Sequence, residues 1–225
     1  MIKSNYKESI NKKGVYTLKK NGEKITYKAW IGDKLSFLYD YFMKKSVFPN
    51  KLDASIEKHK EFLKDKLEKI NKKKILEIST GSGNLSEILD PENEYIGIDI
   101  SPGLLSIANK RFKENGFKNY KLYVCSAENL VFKDNLFDIC ICNLSLNFFK
   151  NLDAFVKDLN KVLQKGGEFL CTVPVPERNK KKRKISGELR TEKELKDIFK
   201  KHNFSFSSFD IKNGSILYFK AVLKS

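Results

Sequence analysis

The run Ile75-Leu76-Glu77-Ile78-Ser79-Thr80-Gly81-Ser82-Gly83-Asn84-Leu85 constrains the fold more than any other stretch of the chain. Lys74 to Ile78 has the apolar character of a parallel strand covered on both faces. Gly81 and Gly83 then remove side chains where a backbone must bend sharply or a ligand must approach closely, while Ser82 and Asn84 keep the turn polar. A helix beginning near Asn84 would turn its unpaired N–H groups and the positive end of its dipole toward a bound carboxylate or phosphate. Strand, glycine turn and helix in this order predict an α/β protein that holds a nucleotide-like ligand at the strand's C-terminal end.

A second run, Glu94-Tyr95-Ile96-Gly97-Ile98-Asp99-Ile100, ends in one acid at the distance, about 20 residues on, where a ribose-binding carboxylate is expected. A carboxylate there accepts two hydroxyl hydrogen bonds at once. The turn is not the dinucleotide pattern G-x-G-x-x-G, because Ser86 stands at its third glycine. These residues also have an architectural reading: Gly81 and Gly83 as turn glycines, Glu77 as an acid capping the nearby helix, and Asp99 as an end-of-strand acid starting a turn.

The rest of the chain alternates in the same way. Helices are predicted near Pro102 to Asn115 and Leu152 to Gln164, and strands near Tyr120 to Cys125, Phe137 to Asn143 and Glu168 to Val173. That alternation specifies a parallel sheet with right-handed crossovers. Thr191 with Glu194 three positions on starts a last helix ending near His202. Two closing strands, Ser205 to Lys212 and Ser215 to Lys224, flank Asn213-Gly214. Upstream, Val15 to Lys20 and Glu23 to Lys28 flank Asn21-Gly22, a strong two-residue hairpin signal. Lys34 to Lys44 and Ala54 to Ile70 show helical spacing and are expected to form a cap.

From Glu77 onward the chain resembles the class I S-adenosylmethionine-dependent methyltransferases, whose first motif reads D/E-x-G-x-G-x-G and whose second strand ends in an acid. Ser79 replaces the first glycine. Cys125-Ser126-Ala127-Glu128-Asn129-Leu130 followed by Phe137-Asp138-Ile139-Cys140-Ile141-Cys142 is similar to the family's G-D-A-E-x-L…F-D-x-V/I stretch, and Leu163 to Phe169 is similar to its L-K-P-G-G turn. Four motifs in order cover roughly residues 75 to 175.

The resemblance implies a Rossmann-like, seven-stranded, mostly parallel sheet with helices on both faces, an antiparallel last strand, and an N-terminal hairpin and helical cap. It divides the chain into that hairpin and cap (1–70) and a cofactor-binding core (71–225), with 174–190 as a basic insertion near the active-site mouth. It also implies S-adenosylmethionine as cofactor. Glu77, Ser79, Gly81, Ser82 and Gly83 would lie against its amino acid end, Asp99 and Ile100 against the ribose, and Ser126, Ala127 and Glu128 against the adenine. Asn143 and Leu144 would border the methyl donor. Tyr39-Asp40 resembles a Y-D pair of related small-molecule methyltransferases, which makes Tyr39 a catalytic candidate. His59 is the other titrating candidate near the cap, although a lone helix histidine reads first as solvated.

Composition bounds the rest. A chain of 225 residues is long enough for one sizeable core. No run approaches the roughly 18 to 20 apolar residues of a bilayer span, and the segment starting at Met1 lacks a signal-peptide core, so a soluble cytoplasmic enzyme is expected. The four cysteines, Cys125, Cys140, Cys142 and Cys171, show no metal spacing and read as small core residues. The net charge of +16 is nearly all lysine, a solvated surface in the main, with a dense cluster from Arg178 to Lys184.

After the fourth strand the chain reads Asn143-Leu144-Ser145-Leu146, without the N/D-P-P-Y/F tetrapeptide of exocyclic-amine methylation, and no Pro-Cys pair is present for attack on cytosine. A small-molecule acceptor, anionic or lipid-linked in character, therefore ranks ahead of nucleic acid, in line with a resemblance to the methyltransferase type 11 and quinone-biosynthesis branch. The alternatives are an RNA methyltransferase using the basic cluster and a non-catalytic subunit that keeps the fold.

Overall fold

The computed structural model describes residues 1–27 and 36–225. One sheet organises them, with strands in the order β1-β2-β6-β5-β4-β7-β8-β10-β9 and β3 paired to β2. The central parallel strands are β4 (Lys74–Ile78), β5 (Glu94–Asp99), β6 (Tyr120–Val124), β7 (Phe137–Asn143) and β8 (Leu163–Pro174). β9 (Phe204–Ser208) and β10 (Ile216–Leu223) close the far edge, and β10 runs antiparallel to both of its neighbours.

These seven strands match the expected core. Three more come from the N-terminus: β1 (Tyr6–Ile10), β2 (Tyr16–Lys20) and β3 (Glu23–Lys24). The hairpin turn forms at Asn21-Gly22, with φ of 52° and 88° as the mirror-image turn requires, but β3 is only two residues long. Lys28, the predicted end of that strand, lies outside the described residues. β1 has no counterpart among the predicted strands. It pairs along the whole of β2, and β2 joins the sheet beside β6 through Tyr16 and Tyr123.

Strand alternation sends side chains to two cores. Leu76, Ile78, Ile96, Ile98, Cys140 and Cys142 point to the face covered by α4 (Leu152–Val162) and α5 (Glu192–Lys201). Ile75, Tyr95, Ile139 and Ile141 point to the opposite face, covered by α2 (Ile56–Leu67) and α3 (Pro102–Glu114). Glu77 and Asn143 share the parity of this second face, where Asn143 meets His59 of α2 and Glu77 meets Tyr95 of β5. All four cysteines are buried and free, as core residues should be.

The predicted capping box of α5 is present, with Thr191 and Glu194 satisfying each other's backbone amides. Two helical expectations fail. The helix after the glycine turn is one 3₁₀ turn, Asn84–Glu87. Pro91 disfavours helical backbone at Asp90, so little chain is left to extend it, and the expected dipole at Asn84 shrinks accordingly. The first cap helix is also not continuous. Lys34 lies outside the described residues, Ser36–Leu38 is a 3₁₀ turn, α1 is only Tyr39–Phe42, and Met43–Leu52 is π-helical. The π segment ends at Asp53 in a left-handed conformation and docks on the closing strands, where Ser215 donates to Leu52 O and Asn213 exchanges two hydrogen bonds with the Ser55 backbone.

Candidate functional site

β4, β5 and β7 all end at one edge, and two cavities open there. The first, about 470 Å³, is lined by Glu77, Gly81, Ser82, His59 and Asn143 among others. The second, about 610 Å³, is lined by Asp99, Ile100, Leu104, Phe148 and Ile185 among others. Tyr39, Met43, Ser79 and Leu144 belong to both, and each volume falls in the range of small-molecule sites. Ends of parallel strands are where open α/β sheets bind ligands, because the loops there diverge.

The loop after β4 is held from both sides. Asp99, at the end of β5, accepts from Gly81 N–H and Ser101 N–H, each at 2.9 Å. Those bonds tie the glycine turn and the start of α3 to the end of β5. A Cβ on Gly81 would make ordinary van der Waals contact with the Tyr39 ring at 3.8 Å, so Tyr39 packs over the glycine turn.

Ser79, where the resembled motif has glycine, sits at φ 59°. Left-handed backbone costs a side-chain-bearing residue about 1–2 kcal/mol, which is partly offset by the lower unfolded-state entropy relative to glycine. Ser79→Gly is therefore expected to raise stability by about 0.5–1 kcal/mol in urea unfolding. A lower midpoint would mean that the serine side chain contributes contacts that outweigh its strain.

Glu77 lies 3 % exposed beneath the loop. Tyr95, from the next strand, donates its hydroxyl to the carboxylate, and Thr80 Oγ1 lies 3.3 Å from the same hydroxyl. Burial pushes the Glu77 carboxyl up to about 8 against the lowering effect of the Tyr95 bond. A folded-state value above the unfolded 4.5 means that this acid stabilises the fold most at low pH and loses that contribution between about pH 4.5 and 8. His59 has the opposite slope over part of that range. Burial lowers it to about 4, so its contribution is lost as pH falls below 6.5. The two slopes cancel between about 4.5 and 6.5. Glu77→Gln is expected to remove the decline from pH 6.5 to 8 and expose the His59 slope below 6.5. A variant and parent with parallel stability curves would refute the buried-acid assignment.

His59 is 3 % exposed, which overturns the solvated reading. It shares the apolar face of α2 with Phe62, Leu63 and Leu67, a spacing visible in the sequence. Its Nε2 lies 2.9 Å from Asn143 Oδ1 and its Nδ1 3.2 Å from Tyr218 OH. Asn143 Oδ1 is an acceptor and also takes the Thr172 hydroxyl at 2.6 Å, so the His59 proton sits on Nε2. Tyr218, which accepts from Asn213 at 2.8 Å, donates to Nδ1. Neutral His59 is thereby fully engaged and clamps Asn143 at the end of β7. Leu144, the next residue, is left-handed at φ 54° and donates its N–H to Thr172. Such strain in a bulky residue is typical of functional loops.

Tyr39 is half-buried between the cavities. Burial, and then the carboxylates of Asp99, Asp40 and Glu77, raise its hydroxyl far above the ordinary tyrosine value, so it stays protonated. Asp40 latches α1 over the glycine turn by accepting from Ser82 at 2.8 Å, from Asn84 at 3.2 Å and from Arg111. Burial opposes its ionisation, but these bonds outweigh it and hold the carboxyl below its usual range. Arg111 also donates to Ser82 and Asn84. Sequence reading misses Arg111, Thr80 and Tyr95. Tyr95 has a signal that would have found it, since its parity along β5 sets it beside Glu77.

Among the described residues, Ser126, Ala127 and Glu128 line neither cavity. Ser126 Oγ accepts from Glu128 N–H, and Glu128 accepts from Lys150 N–H. The basic run is not one free patch. Arg178 donates to the carbonyls of Ile211 and Ile216, and Lys181 pairs with Asp53 at 2.7 Å. Among the described residues no cluster suited to a metal ion occurs, and no helix is long and apolar enough to cross a membrane.

Known proteins resemble this chain in sequence and in fold. Demethylmenaquinone methyltransferase of Geobacillus sp. is 27% identical over 124 residues, which is 52% of this chain and 53% of that protein. The Staphylococcus saprophyticus enzyme of the same name is 32% identical over 124 residues, 52% of each chain. The chain thus spans about half the length of the curated relatives it matches. Among solved structures, an S-adenosylmethionine-dependent methyltransferase of Clostridium acetobutylicum superposes with a TM-score of 0.67 at 17% identity, covering 86% of this chain and 99% of that one. Phosphoethanolamine N-methyltransferase 2 of Haemonchus contortus, solved with phosphomonomethylethanolamine and S-adenosylhomocysteine, gives 0.68 at 16% identity, covering 93% and 63%. The family model described as "Methyltransferase domain" matches residues 69–216, more than half of the chain and all of the strands that build the cavity edge, and the protein belongs to that family.

Proposed function

We propose that the chain transfers a methyl group from S-adenosylmethionine to a small-molecule acceptor. The observation that carries this is the placement of Glu77 and Asp99 near the C-terminal ends of the adjacent strands β4 and β5, one on each of two cavities that share Tyr39 and Ser79. When bound, S-adenosylmethionine supplies a methyl group on a positive sulfur, already activated for attack. The chain's task is then to align two reactants and exclude water.

In this reading Asp99 holds the ribose hydroxyls with Ile100 alongside, and the backbone of Ser79, Gly81, Ser82 and Gly83 lies against the amino acid end. Glu77, kept protonated by burial below about pH 8, becomes the counter-charge for a cationic group when that end is filled. Ser126, Ala127 and Glu128, which follow β6 beside the Asp99 strand end, border the adenine where it extends beyond the two cavities, and Asn143 and Leu144 border the methyl donor. Tyr39 acts as a hydrogen-bond donor and wall rather than as a base. His59 positions Asn143. The division at residue 70 into cap and core belongs to the same proposal, with 174–190 beside the cavity mouth, and so does a cytoplasmic setting, which suits four free thiols.

A small-molecule acceptor is supported by relatives named for such acceptors, including a sterol 4-C-methyltransferase of Caenorhabditis elegans, and by the engagement of Arg178 and Lys181 within the protein. Calorimetric titration with S-adenosylmethionine tests the reading. Saturable one-to-one binding in the micromolar range, about −8 kcal/mol, is expected. Absence of heat at millimolar cofactor would retire it.

A further inference from the structure

The cap segment 36–52 has two unlike faces. Tyr39 and Met43, four residues apart, line both cavities, and Asp40 is drawn inward to Ser82, Asn84 and Arg111. Phe37, Tyr41 and Lys45, also at four-residue spacing, fall on the other side. Phe37 is 71 % exposed, Tyr41 60 % and its neighbour Phe42 48 %, with the rings of Tyr41 and Phe42 edge to face at 6.1 Å. Three of the seven large apolar side chains that stand exposed among the described residues therefore crowd into positions 37 to 42. Asp40, the segment's one acid, is turned away from them. Its lysines, Lys44, Lys45 and Lys51, are exposed and form no ion pair among the described residues, although Glu57 at the start of α2 is close enough to interact with Lys44 through its field.

An exposed aromatic cluster of this kind marks a contact surface. Rings beside lysines on the outer face of a short helical segment suit the interface of an anionic bilayer, where rings enter the headgroup boundary and ammonium groups meet lipid phosphates. The net charge of +16 complements the same surface. Nucleic acid fits less well, because three of the four arginines, Arg111, Arg178 and Arg190, are engaged within the protein, and lysine lacks the bidentate fork that favours phosphodiester recognition. We propose that the outer face of residues 37–45 docks on an anionic membrane surface. The docking segment is also a wall of both cavities, through Tyr39 and Met43, so the contact sets those cavities beside the lipid. The docking itself does not depend on the methyltransferase reading.

Co-sedimentation of the full chain with vesicles of phosphatidylcholine, and of an equal mixture of phosphatidylcholine and phosphatidylglycerol, tests this. Binding is expected on the mixed vesicles. The triple variant Phe37→Ser/Tyr41→Ser/Phe42→Ser is expected to weaken it at least about tenfold, since the apolar part of the contact is lost. Ile10→Ser removes an equally exposed apolar side chain from β1 and should leave binding unchanged. In the unmodified protein, amide hydrogen exchange within 36–45 is expected to slow on the mixed vesicles, a reading that stands even where the triple variant does not fold. No binding to either vesicle, or equal binding to both, would overturn the proposal. Binding that the triple variant keeps in full would assign it to the lysine surface at large and overturn the docking face. Loss of single-stranded RNA binding in the triple variant, with vesicle binding unaffected, would give the face to nucleic acid. A lipid-free dimer that the triple variant dissolves would give it to a second copy of the chain.

Discussion

Replacing Gly83 with alanine is expected to destabilise the fold by about 2 to 5 kcal/mol, the sum of a left-handed backbone cost and the strain of overpacking. Gly83 has φ 81°, and a Cβ there would lie 2.8 Å from both Cα and Cβ of Ala108 and 3.3 Å from Phe112. Ala108 belongs to the body of α3, so neither neighbour is the free end of a flexible chain. Gly22 supplies the control. Its φ is 88°, but a Cβ would meet nothing within 4 Å, so Gly22→Ala isolates the backbone cost of about 1 kcal/mol. Urea unfolding of the two variants separates strain from clash. Equal midpoints would mean that α3 yields easily and that the glycine turn is not wedged against it.

Asp99→Ala is expected to weaken S-adenosylmethionine binding by two orders of magnitude or more, because two hydrogen bonds to a charged acceptor contribute about 3 kcal/mol together even at the low end of their range. The loss has a second source. Asp99 also anchors the amides of Gly81 and Ser101, so the variant frees the loop against which the amino acid end is proposed to lie. Asp99→Asn keeps one acceptor oxygen without the charge and should fall between the two. Calorimetry of the three proteins reads the series. Affinity within fivefold of the parent in Asp99→Ala would remove the ribose role while leaving the family assignment intact.

Much of the strand framework is legible in the order of residues alone. β4 begins and ends where the sequence predicts, Lys74 to Ile78, because the apolar run is bounded by lysines before it and by Ser79-Thr80-Gly81 after it. Asn21-Gly22 and Thr191 with Glu194 are equally legible, since turns and caps depend on residues a few positions apart. The 3₁₀ turn after Gly83 reads wrongly as a longer helix, although Pro91 marks its limit. Pro49 signals only that an α-helix is interrupted within Met43–Leu52; the π-helical form goes with docking on Ser215, which lies far away in the chain.

The sequence by itself determined the strand and helix order, the acids at two strand ends and the glycine turn between them, all of which are periodic or short-range properties. Tertiary structure alone decided which side chains meet: Asp40 with Arg111, 71 residues apart, His59 with Asn143, 84 apart, and β2 with β6. It also set the charge states, since Glu77 and His59 depart from ordinary values through burial, and it left Phe37, Tyr41 and Phe42 exposed on the cap. Periodicity tells which face of an element is apolar. What stands opposite that face, and how much water is excluded between them, is fixed only when distant segments pack.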